Sequence, residues 1–590
     1  MSTTPTEPRG CLSALADLIN SLLGGARQTE PPGLAPVPRV PERALRSFLP
    51  GQLCVLAELR SGDPDDQAAI AQQVRRSLLA LNIDQSLIVQ PERVIALRGR
   101  NRTLVAAFAD LPALRERPAR LLALIDTINR AVQPPTPGGP PFTGGQSEPP
   151  FTGQTEPQGA PPTTPLSADA AEAAAAATTP PSRPVQLQLR AASPNWLAGG
   201  SQHVGTTGGP GCWPVPAKPG VGVSSETPPW GYTVDPGMIA APPASRSPRS
   251  VEVAILDTTP HPRDLAIAYK RWVTDAEPGQ AHPLLEALLG AGGAFGLGLN
   301  QRLEVTTAPF DLISAVDADL IAHRYAMADH GLFIAGIIHM LVPAAHLHLV
   351  EVLNTYGVGS LETLLLGLQT VAKRKLLSPD TALVINCSLT FACPPPELAA
   401  IRRQALQTPD IDTITPDQVQ RTSLVFGLVA ELIADLSEAR DVQIVAAAGN
   451  DGLLAGNPHP ARYPARYSNV VGVGALTSAG SAAIYSNMAD QPSGAGFATF
   501  GGDVVAGGPH DPLKASATGV LGVYIGPVPE SGPNQTGWAR WAGTSFAAPV
   551  VSGILARRLA SGEAADTAVK ALNPNNSATQ IGELLGVKQG

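Results

Sequence analysis

The most regular feature of the chain is a series of short apolar segments that alternate with helical segments after residue 250. These apolar segments are Val251–Leu256, Leu347–Leu353, Ala382–Leu389, Gln443–Ala448 and Val470–Leu476. Short and nearly uniform apolar runs are typical of strands that are buried on both faces. Because helical segments lie between them, the pattern predicts an α/β domain in which a parallel sheet lies between layers of helices.

A second and smaller α/β pattern occupies residues 45–132. Its strand candidates are Leu53–Leu59, Ser86–Leu97 and Thr103–Phe108. The first helix is expected at Pro64–Leu81, with Asp63 as its cap and Pro64 at the first helical position. A second helix is expected at Pro112–Val132. Farther along the chain, the alternation of apolar residues in Val185–Leu189 predicts one more half-buried strand.

The other segments outside the main domain are rich in Pro, Gly and Ala. Residues 1–44 are expected to be flexible around one short amphipathic helix at Cys11–Leu23, and residues 133–184 form a linker that is expected to be disordered. In the linker, Pro140–Glu148 is nearly repeated at Pro149–Glu156, either as a docking motif or, the favoured interpretation, through slippage. The chain therefore divides into residues 1–44, 45–132, 133–184 and 185–590, the last with a catalytic core at about 251–560.

Composition and charge exclude several classes of protein. The 590 residues carry a net charge of −8, unlike the basic surface of a nucleic-acid-binding protein. The five cysteines form no C-x-x-C pair, so they indicate neither a disulfide framework nor a zinc site. No apolar run is long enough to span a membrane, and Asp17 and Asn20 interrupt the apolar stretch that could have been a secretory signal. We expect a cytoplasmic protein with no cofactor, no nucleic-acid partner and no membrane partner.

Three polar residues occupy positions that suit catalysis. Ser545 lies directly before an apolar helical run, where free backbone N–H groups favour developing negative charge. Asp257 ends the first strand candidate, at the edge of a parallel sheet where catalytic groups gather. His330 opens an apolar helix. Each residue also has a purely structural interpretation, because Ser545 or Asp257 could cap a helix or turn and His330 could be a packed core residue.

Together these motifs resemble those of the subtilase family of serine peptidases. Asp257, His330 and Ser545 follow one another in the order that subtilisin has. A serine hydroxyl becomes a strong nucleophile only when a base removes its proton, and a carboxylate fixes the histidine in the tautomer that can do so. The resemblance covers about residues 251–559 and implies a subtilisin-like three-layer α/β fold. It also implies a serine endopeptidase with these three residues as its catalytic triad.

Two further segments extend the resemblance. Asn450 corresponds to the side-chain donor to the oxyanion in this family, where it acts beside the backbone N–H of Ser545. Ser388, Leu389 and Thr390 correspond to the strand that lines the substrate. Such a strand suits an extended peptide that pairs through backbone hydrogen bonds, so a peptide substrate is favoured over an ester.

The sequence departs from the family pattern at three places. Thr258-Thr259 follows the predicted catalytic aspartate where the family has Gly in second position, so we expect a changed exit from the strand. Leu332 and Phe333 replace Thr and His after the His-Gly pair, which is expected to alter the wall that faces the substrate. The calcium-binding loop of many family members is missing between Gly336 and Pro343, and no metal site is expected.

Arg462 bears on substrate specificity. In this family, the residue before the Tyr-Pro-Ala segment lies near the base of the pocket for the side chain that precedes the scissile bond. A guanidinium at this place would favour an acidic side chain through charge-assisted hydrogen bonds. The alternative is that Arg462 turns outward or pairs with Asp451, which would remove the preference.

The N-terminal module has two interpretations. Its order of strands and helices is similar to the subtilase prodomain, a small ferredoxin-like fold whose sheet the strand at Val185–Leu189 would complete. The chain would then be a zymogen with the linker as an accessible place for a cut. Otherwise the module binds a partner or sensor and regulates proteolysis. The expected partners are a protein or peptide substrate and, within the chain, this module. A catalytically weak scaffold of the subtilase fold, and an esterase or acyltransferase with the same triad, are the alternative functions.

Overall fold

The structure of the chain is a computed structural model. It describes residues 48–81, 91–132, 184–199, 212–219, 231–234, 249–290, 302–308, 326–391, 416–437, 440–452, 459–489, 496–505, 514–529, 531–572, 578–579, 582–584 and 587–589. The helix predicted at Cys11–Leu23, nearly all of the linker with its repeat, and the first part of the strand candidate Ser86–Leu97 lie outside these residues.

The five apolar segments of the main domain coincide with five strands of the structure. The strands are β1 (Phe48–Ser61), β2 (Arg93–Arg98), β3 (Thr103–Asp110), β4 (Gln186–Gly199), β5 (Val215–Pro216), β6 (Tyr232–Val234), β7 (Val251–Asp257), β8 (Leu303–Thr306), β9 (His346–Glu351), β10 (Val358–Ser360), β11 (Ala382–Cys387), β12 (Thr390–Phe391), β13 (Val442–Ala447), β14 (Val470–Leu476), β15 (Phe497–Phe500), β16 (Val504–Val505), β17 (Lys514–Ala515), β18 (Val520–Val523), β19 (Pro527–Val528), β20 (Gly532–Pro533), β21 (Trp538–Trp541), β22 (Ala578–Thr579), β23 (Gly582–Leu584) and β24 (Val587–Gln589). The α-helices are α1 (Gln67–Leu79), α2 (Pro118–Val132), α3 (Pro262–Tyr269), α4 (Pro283–Leu289), α5 (His330–Leu341), α6 (Leu361–Leu377), α7 (Pro416–Ala434), α8 (Thr544–Ala560) and α9 (Ala565–Lys570).

The N-terminal module is an antiparallel sheet with two helices packed against it. Its strands lie in the order β4-β1-β3-β2, and β1 pairs with both β3 and β4. With α1 and α2 this is the β-α-β-β-α-β arrangement of ferredoxin-like folds. Ile70 of α1 and Ile125 of α2 are fully buried in the same core as Leu56 of β1. The strand that the sequence assigned to the start of the main domain therefore completes the sheet of the module.

The first helix of the module begins three residues later than its predicted cap implies. The carboxylate of Asp66 caps α1 by accepting the backbone N–H of Ala69 at 3.0 Å. Asp63, the predicted cap, accepts the N–H of Asp65 at 2.9 Å. The prediction was wrong because this aspartate closes a turn on itself, and the turn delays the first helical residue to Gln67.

The second helical segment of the module is divided in two. A 3₁₀ turn covers Pro112–Leu114, and α2 starts only at Pro118. Proline has no backbone N–H and is tolerated in the first turn of a helix but not in its interior. Pro118 is not tolerated inside one helix that begins at Pro112, so a short 3₁₀ turn and a separate helix form instead.

A nine-stranded sheet forms the centre of the main domain. Its order is β22-β23-β15-β14-β13-β11-β7-β9-β8, and every neighbouring pair except β22 with β23 is parallel. Parallel strands need a crossover between them, and helices supply most of these crossovers here. The prediction of a mainly parallel sheet between helices is confirmed.

Successive residues of β7 show that the sheet separates two cores. Val253 and Ile255 pack in a core with α5 and α8, whereas Ala254 and Leu256 pack in a core with α6 and α7. Side chains alternate between the faces of a strand, so each face of the sheet is covered by its own layer of helices. The second of these cores also contains the buried residues of the N-terminal module, which therefore packs on the α6 and α7 side of the domain.

The strand β4 joins the N-terminal module to the main domain. Most of its length pairs with β1, but its last residues pair with two short strands of the main domain. Gly199 lies opposite both Val358 of β10 and Thr390 of β12, and Ala198 lies opposite Phe391. One continuous strand thus begins in the sheet of the module and ends between β10 and β12.

None of the described helices combines the length and the apolar composition that are needed to cross a bilayer.

Candidate active site

Asp257 and His330 form a buried pair at the carboxyl edge of the central sheet. Asp257 is the last residue of β7, and its Oδ1 accepts a hydrogen bond from His330 Nδ1 at 2.7 Å and from the backbone N–H of Thr258, also at 2.7 Å. Both side chains are fully buried. Because Nδ1 donates to the carboxylate, Nε2 of the neutral ring carries the lone pair. No described atom forms a hydrogen bond with Nε2.

The start of α5 packs so closely on the end of β7 that only glycine fits after His330. A Cβ atom on Gly331 would lie 2.3 Å from the carbonyl oxygen of Thr258 and 3.1 Å from Cβ of Asp257. The Thr258 hydroxyl lies 2.9 Å from the carbonyl oxygen of Ala328. The contact between β7 and α5 is therefore intact despite the departure from the family pattern at Thr258-Thr259. The hydroxyl of Thr258 links the turn before His330 to the end of β7.

An aromatic cluster surrounds the imidazole of His330. The rings of Trp541 and Phe546 lie against it edge-on, with centroids 5.3 and 5.4 Å from the imidazole. Phe333 is fully buried and packs on both of these rings. The expectation that Phe333 alters the substrate-facing wall was wrong, because this side chain lies in the core beneath the histidine. The sequence analysis missed Trp541, whose only signal was its position four residues before Ser545.

Ser545 is the second residue of α8 and is buried beside the strand that is predicted to line the substrate. Its hydroxyl donates to the carbonyl oxygen of Ser388 at 3.1 Å, and the Ser388 hydroxyl donates to the carbonyl oxygen of Ser545 at 2.8 Å. The next residue, Phe546, packs on His330 as described above. Ser545 and His330 thus lie on neighbouring elements, with the hydroxyl directed to Ser388 rather than to Nε2. Catalytic hydrogen bonds are often loose in unliganded enzymes and tighten when substrate binds.

Asn450 follows β13 and faces the start of α8. The backbone N–H of Thr544 donates to its Oδ1 at 3.0 Å, and the Thr544 hydroxyl lies 3.1 Å from the same oxygen. A backbone N–H can only be accepted by the amide oxygen, so these contacts fix which atom is Nδ2. No described atom pairs with Nδ2, although it is buried. A hydrogen-bond donor is therefore left free next to Ser545.

Comparison with known proteins decides the family. A model of the subtilase family matches residues 250–583 of the chain. The chain belongs to the subtilase family. Subtilases are serine peptidases, so this chain is a serine hydrolase of the peptidase class. No curated protein matches the sequence.

The chain is also similar to a solved structure described as the structure of the prenylagaramide maturation protease PagA. The two are 19% identical, and the similarity covers 57% of this chain and 86% of the other, with a TM-score of 0.30. An agreement of this size does not establish a shared fold by itself.

The segment that the resemblance assigns to substrate binding, Ser388 to Thr390, lies directly after β11. Ser388 and Thr390 are buried at the carboxyl end of β11, and the backbone of Thr390 pairs with Gly199. The side chain of Leu389 packs into the core that contains α6 and α7. Of the three predicted substrate residues, Ser388 contacts Ser545 and Thr390 pairs with Gly199 of β4, whereas the side chain of Leu389 is packed in the core.

Arg462 of this subtilase is fully buried and paired with Asp451. Its Nε donates to Asp451 Oδ2 at 2.6 Å, and a second guanidinium nitrogen donates to Oδ1 at 2.5 Å. Burial alone would raise the pKa of Asp451, but the charge and hydrogen bonds of Arg462, with a bond from Asn487, lower it overall. The structure thus shows the pairing that the sequence left as an alternative. The guanidinium charge on which an acidic preference depends is compensated within the protein.

Asp329 is a buried carboxyl group next to the candidate base that the sequence analysis missed. Its Oδ2 accepts the backbone N–H groups of Ile525 and Gly526, so it ties the segment after β18 to the start of α5. Burial raises the pKa of Asp329 to about 6, although the two N–H bonds act in the opposite direction. Its signal in the sequence was weak, because an aspartate before a helix is usually read as an ordinary cap.

Proposed function

We propose that this subtilase is a serine endopeptidase in which Asp257, His330 and Ser545 form the catalytic triad and Asn450 completes the oxyanion hole. One observation carries the proposal: two buried polar atoms without partners among the described residues flank the start of α8. One is an acceptor, Nε2 of His330, and the other is a donor, Nδ2 of Asn450. A serine protease needs an acceptor for the proton of the nucleophile and a donor for the oxyanion.

The proposed mechanism follows from these two atoms. When a peptide carbonyl enters the groove between β10 and β12, the hydroxyl of Ser545 turns from Ser388 toward Nε2, attacks the carbonyl carbon and gives its proton to His330. Asp257 holds the ring in the required tautomer and stabilises the imidazolium. Nδ2 of Asn450 and the backbone N–H of Ser545 stabilise the oxyanion. His330 then protonates the leaving amine, and water hydrolyses the acyl-enzyme by the reverse sequence of proton transfers.

The groove is suited to an internal segment of a polypeptide. The end of β4 lies between β10 and β12 and pairs with both, as an extended peptide substrate would. The same strand continues without interruption from Gln186, so the groove accepts a segment with chain on its N-terminal side. This arrangement favours an endopeptidase over an esterase or an enzyme that requires a free terminus.

The N-terminal module supports self-inhibition, because the strand that fills the groove is part of its sheet. Arg93 of the module pairs with Glu362 of α6 at 2.5 Å, and Asn195 accepts the backbone N–H of Glu362 at 3.2 Å. Gln369 donates to the carbonyl oxygen of Ala96 at 2.6 Å. These contacts hold the module on the outside of α6 while β4 occupies the groove. In the uncut chain a substrate would have to displace β4, so we infer a zymogen-like state regulated through residues 45–199.

The pairing of β4 with β12 predicts where self-processing would cut the chain, namely shortly after Gly199. Gly199 lies opposite Thr390, and Ser388, whose carbonyl oxygen accepts the Ser545 hydroxyl, precedes Thr390 by two residues. If this antiparallel register continued past Gly199, the peptide bond opposite Ser388 would be about two residues beyond Gly199. We expect intact mass spectrometry of the native chain to show two fragments divided there. The Ser545→Ala chain should remain uncut, and a cut within residues 133–184 would contradict this register.

The proposed oxyanion donor is tested by Asn450→Asp. The variant keeps an oxygen that accepts the Thr544 N–H but replaces the amide donor by an oxygen that repels the oxyanion. We expect kcat for peptide hydrolysis to fall by at least ~10²–10³, the loss seen when subtilisin itself loses this donor. KM should change little, because the bond forms mainly in the transition state. A variant with an unchanged melting temperature and an unchanged kcat would remove Asn450 from the mechanism.

One observation favours the alternative of a catalytically weak scaffold. The hydroxyl of Ser545 donates to Ser388, while Nε2 of His330 has no partner among the described residues. A protein locked in this arrangement would bind an extended strand without cleaving it. The scaffold and the enzyme differ in whether Ser545 reacts with a serine-directed phosphonate.

A further inference from the structure

A buried ion pair occupies the space beside the proposed oxyanion asparagine. Gly449, which precedes Asn450, has a φ of +112°, and a Cβ atom there would lie 3.3 and 3.4 Å from Cγ and Cδ of Arg462. The same Cβ would lie 2.9 Å from Nδ2 of Asn487. The stem of Arg462 and the amide of Asn487 thus fill the volume against the backbone of Gly449 and Asn450, which we call the oxyanion loop.

The ion pair extends from the oxyanion loop to the substrate-lining strand. Besides its two bonds to Asp451, Arg462 directs a guanidinium nitrogen to the carbonyl oxygen of Phe391 in β12, at 3.4 Å. Asn487 donates to Asp451 Oδ2 at 2.8 Å and accepts the Asp451 backbone N–H at 2.7 Å. Arg462 and Asn487 are fully buried, and Asp451 is 4% exposed. Each charge therefore has close partners, and the network is closed to solvent.

The position of this network determines which side chains can precede the scissile bond. The carbonyl group under attack must reach both Ser545 and Nδ2 of Asn450, while the peptide backbone runs along the strand from Ser388. By the family resemblance, the side chain on that carbonyl would enter near Arg462, whose stem lies against Gly449 and whose guanidinium reaches Phe391 of β12. A large side chain would have to displace a buried pair of charges, and separating such a pair inside a protein is strongly unfavourable.

We propose that Arg462, Asp451 and Asn487 close the specificity pocket, so that this subtilase cleaves after small residues such as Gly, Ala and Ser. The inference rests on the proposed function. An acidic side chain gains nothing from Arg462, because Asp451 already accepts its two bonds, and a large apolar side chain finds no volume.

The test is a series of internally quenched peptides that differ only in the residue before the cut. With the processed native enzyme, we expect kcat/KM for the Ala and Ser peptides to exceed that for the Phe, Asp and Lys peptides by at least ~10²-fold. In the double variant Arg462→Gly/Asp451→Asn, which removes both charges together, the ratio of kcat/KM for Phe to that for Ala should rise at least about tenfold. The native series decides the proposal even if the double variant does not fold.

Two controls separate this inference from the proposed function. Titration with a fluorophosphonate counts the active sites of each preparation. A native enzyme that is labelled at Ser545 but cleaves the Phe or Asp peptide as fast as the Ala peptide overturns the closed pocket alone. A folded double variant with an unchanged Phe to Ala ratio overturns it as well. A native chain that is neither labelled nor active on any peptide overturns both proposals.

Discussion

Replacing Ser545 with Ala is expected to lower kcat for peptide hydrolysis by about 10⁶-fold, the size of the loss when subtilisin loses its serine. Ser545 supplies the only covalent bond that the proposed mechanism forms between enzyme and substrate, so His330 and Asp257 lose their function with it. KM should stay within a few-fold, because β10, β12 and Asn450 are unchanged. The measurement is kcat and KM of the native and variant enzymes on one peptide, after activation by the same external protease.

The matched control for this substitution is Ser552→Ala. Ser552 lies on the same helix and is also fully buried, but its hydroxyl donates to Asn386 Oδ1 at 2.9 Å and takes no part in the proposed chemistry. We expect this variant to lose stability without a comparable loss of kcat per folded molecule. A Ser545→Ala enzyme that keeps more than about a hundredth of the native kcat would contradict the assignment of the nucleophile.

Replacing Asp257 with Asn is expected to lower kcat by about 10⁴-fold while leaving the fold intact. Oδ1 of Asp257 accepts the N–H groups of both Thr258 and His330 Nδ1, and an asparagine oxygen at that position carries no negative charge to stabilise the imidazolium. Where the NH₂ group turns to Nδ1 instead, Nδ1 must accept a hydrogen bond and the proton of the neutral ring moves to Nε2. An imidazole with a proton on Nε2 cannot accept the proton of Ser545. The measurement is kcat at neutral pH, with the melting temperature to show that the variant is folded.

Asp441→Asn serves as the control for the loss of a buried carboxylate. Asp441 is 2% exposed and pairs with Lys375 at 3.0 Å, but it precedes β13 and so lies at the opposite edge of the sheet from Asn450. This variant should be less stable yet keep its kcat per folded molecule. If Asp257→Asn lost less than about tenfold in kcat, the carboxylate would not set the tautomer of His330.

The parallel sheet could be predicted from the sequence because its strands are buried on both faces. The segments that became β7 and β14 are short and nearly all apolar, which is typical of strands buried on both faces. The catalytic candidates could also be predicted from the sequence, since each of them follows such a strand or lies at the start of a helix. By contrast, the cap of α1 was misplaced by three residues, because Asp63 and Asp66 are both good caps and only the folded turn chooses between them.

The parts that the sequence did not reveal depend on contacts between distant residues. The alternation at Val185–Leu189 predicted a strand, but its continuation to Gly199 and its pairing with β10 and β12 join elements that are far apart in the chain. The sequence named Asp451 as a possible partner of Arg462 but could not decide the pairing. The same residues are compatible with an outward side chain and with a buried ion pair. The aromatic rings around His330 likewise come from separate elements and have no local pattern.

The most direct test of the catalytic centre is labelling of the activated chain with a fluorophosphonate, followed by mass spectrometry of its peptides. The label bonds only to a serine whose proton a neighbouring base removes. We expect about one label per molecule, on the peptide that contains Ser545, and no label on the Ser545→Ala or His330→Ala chains. Equal labelling of the native and Ser545→Ala chains, or a label on another serine, would contradict the proposed triad.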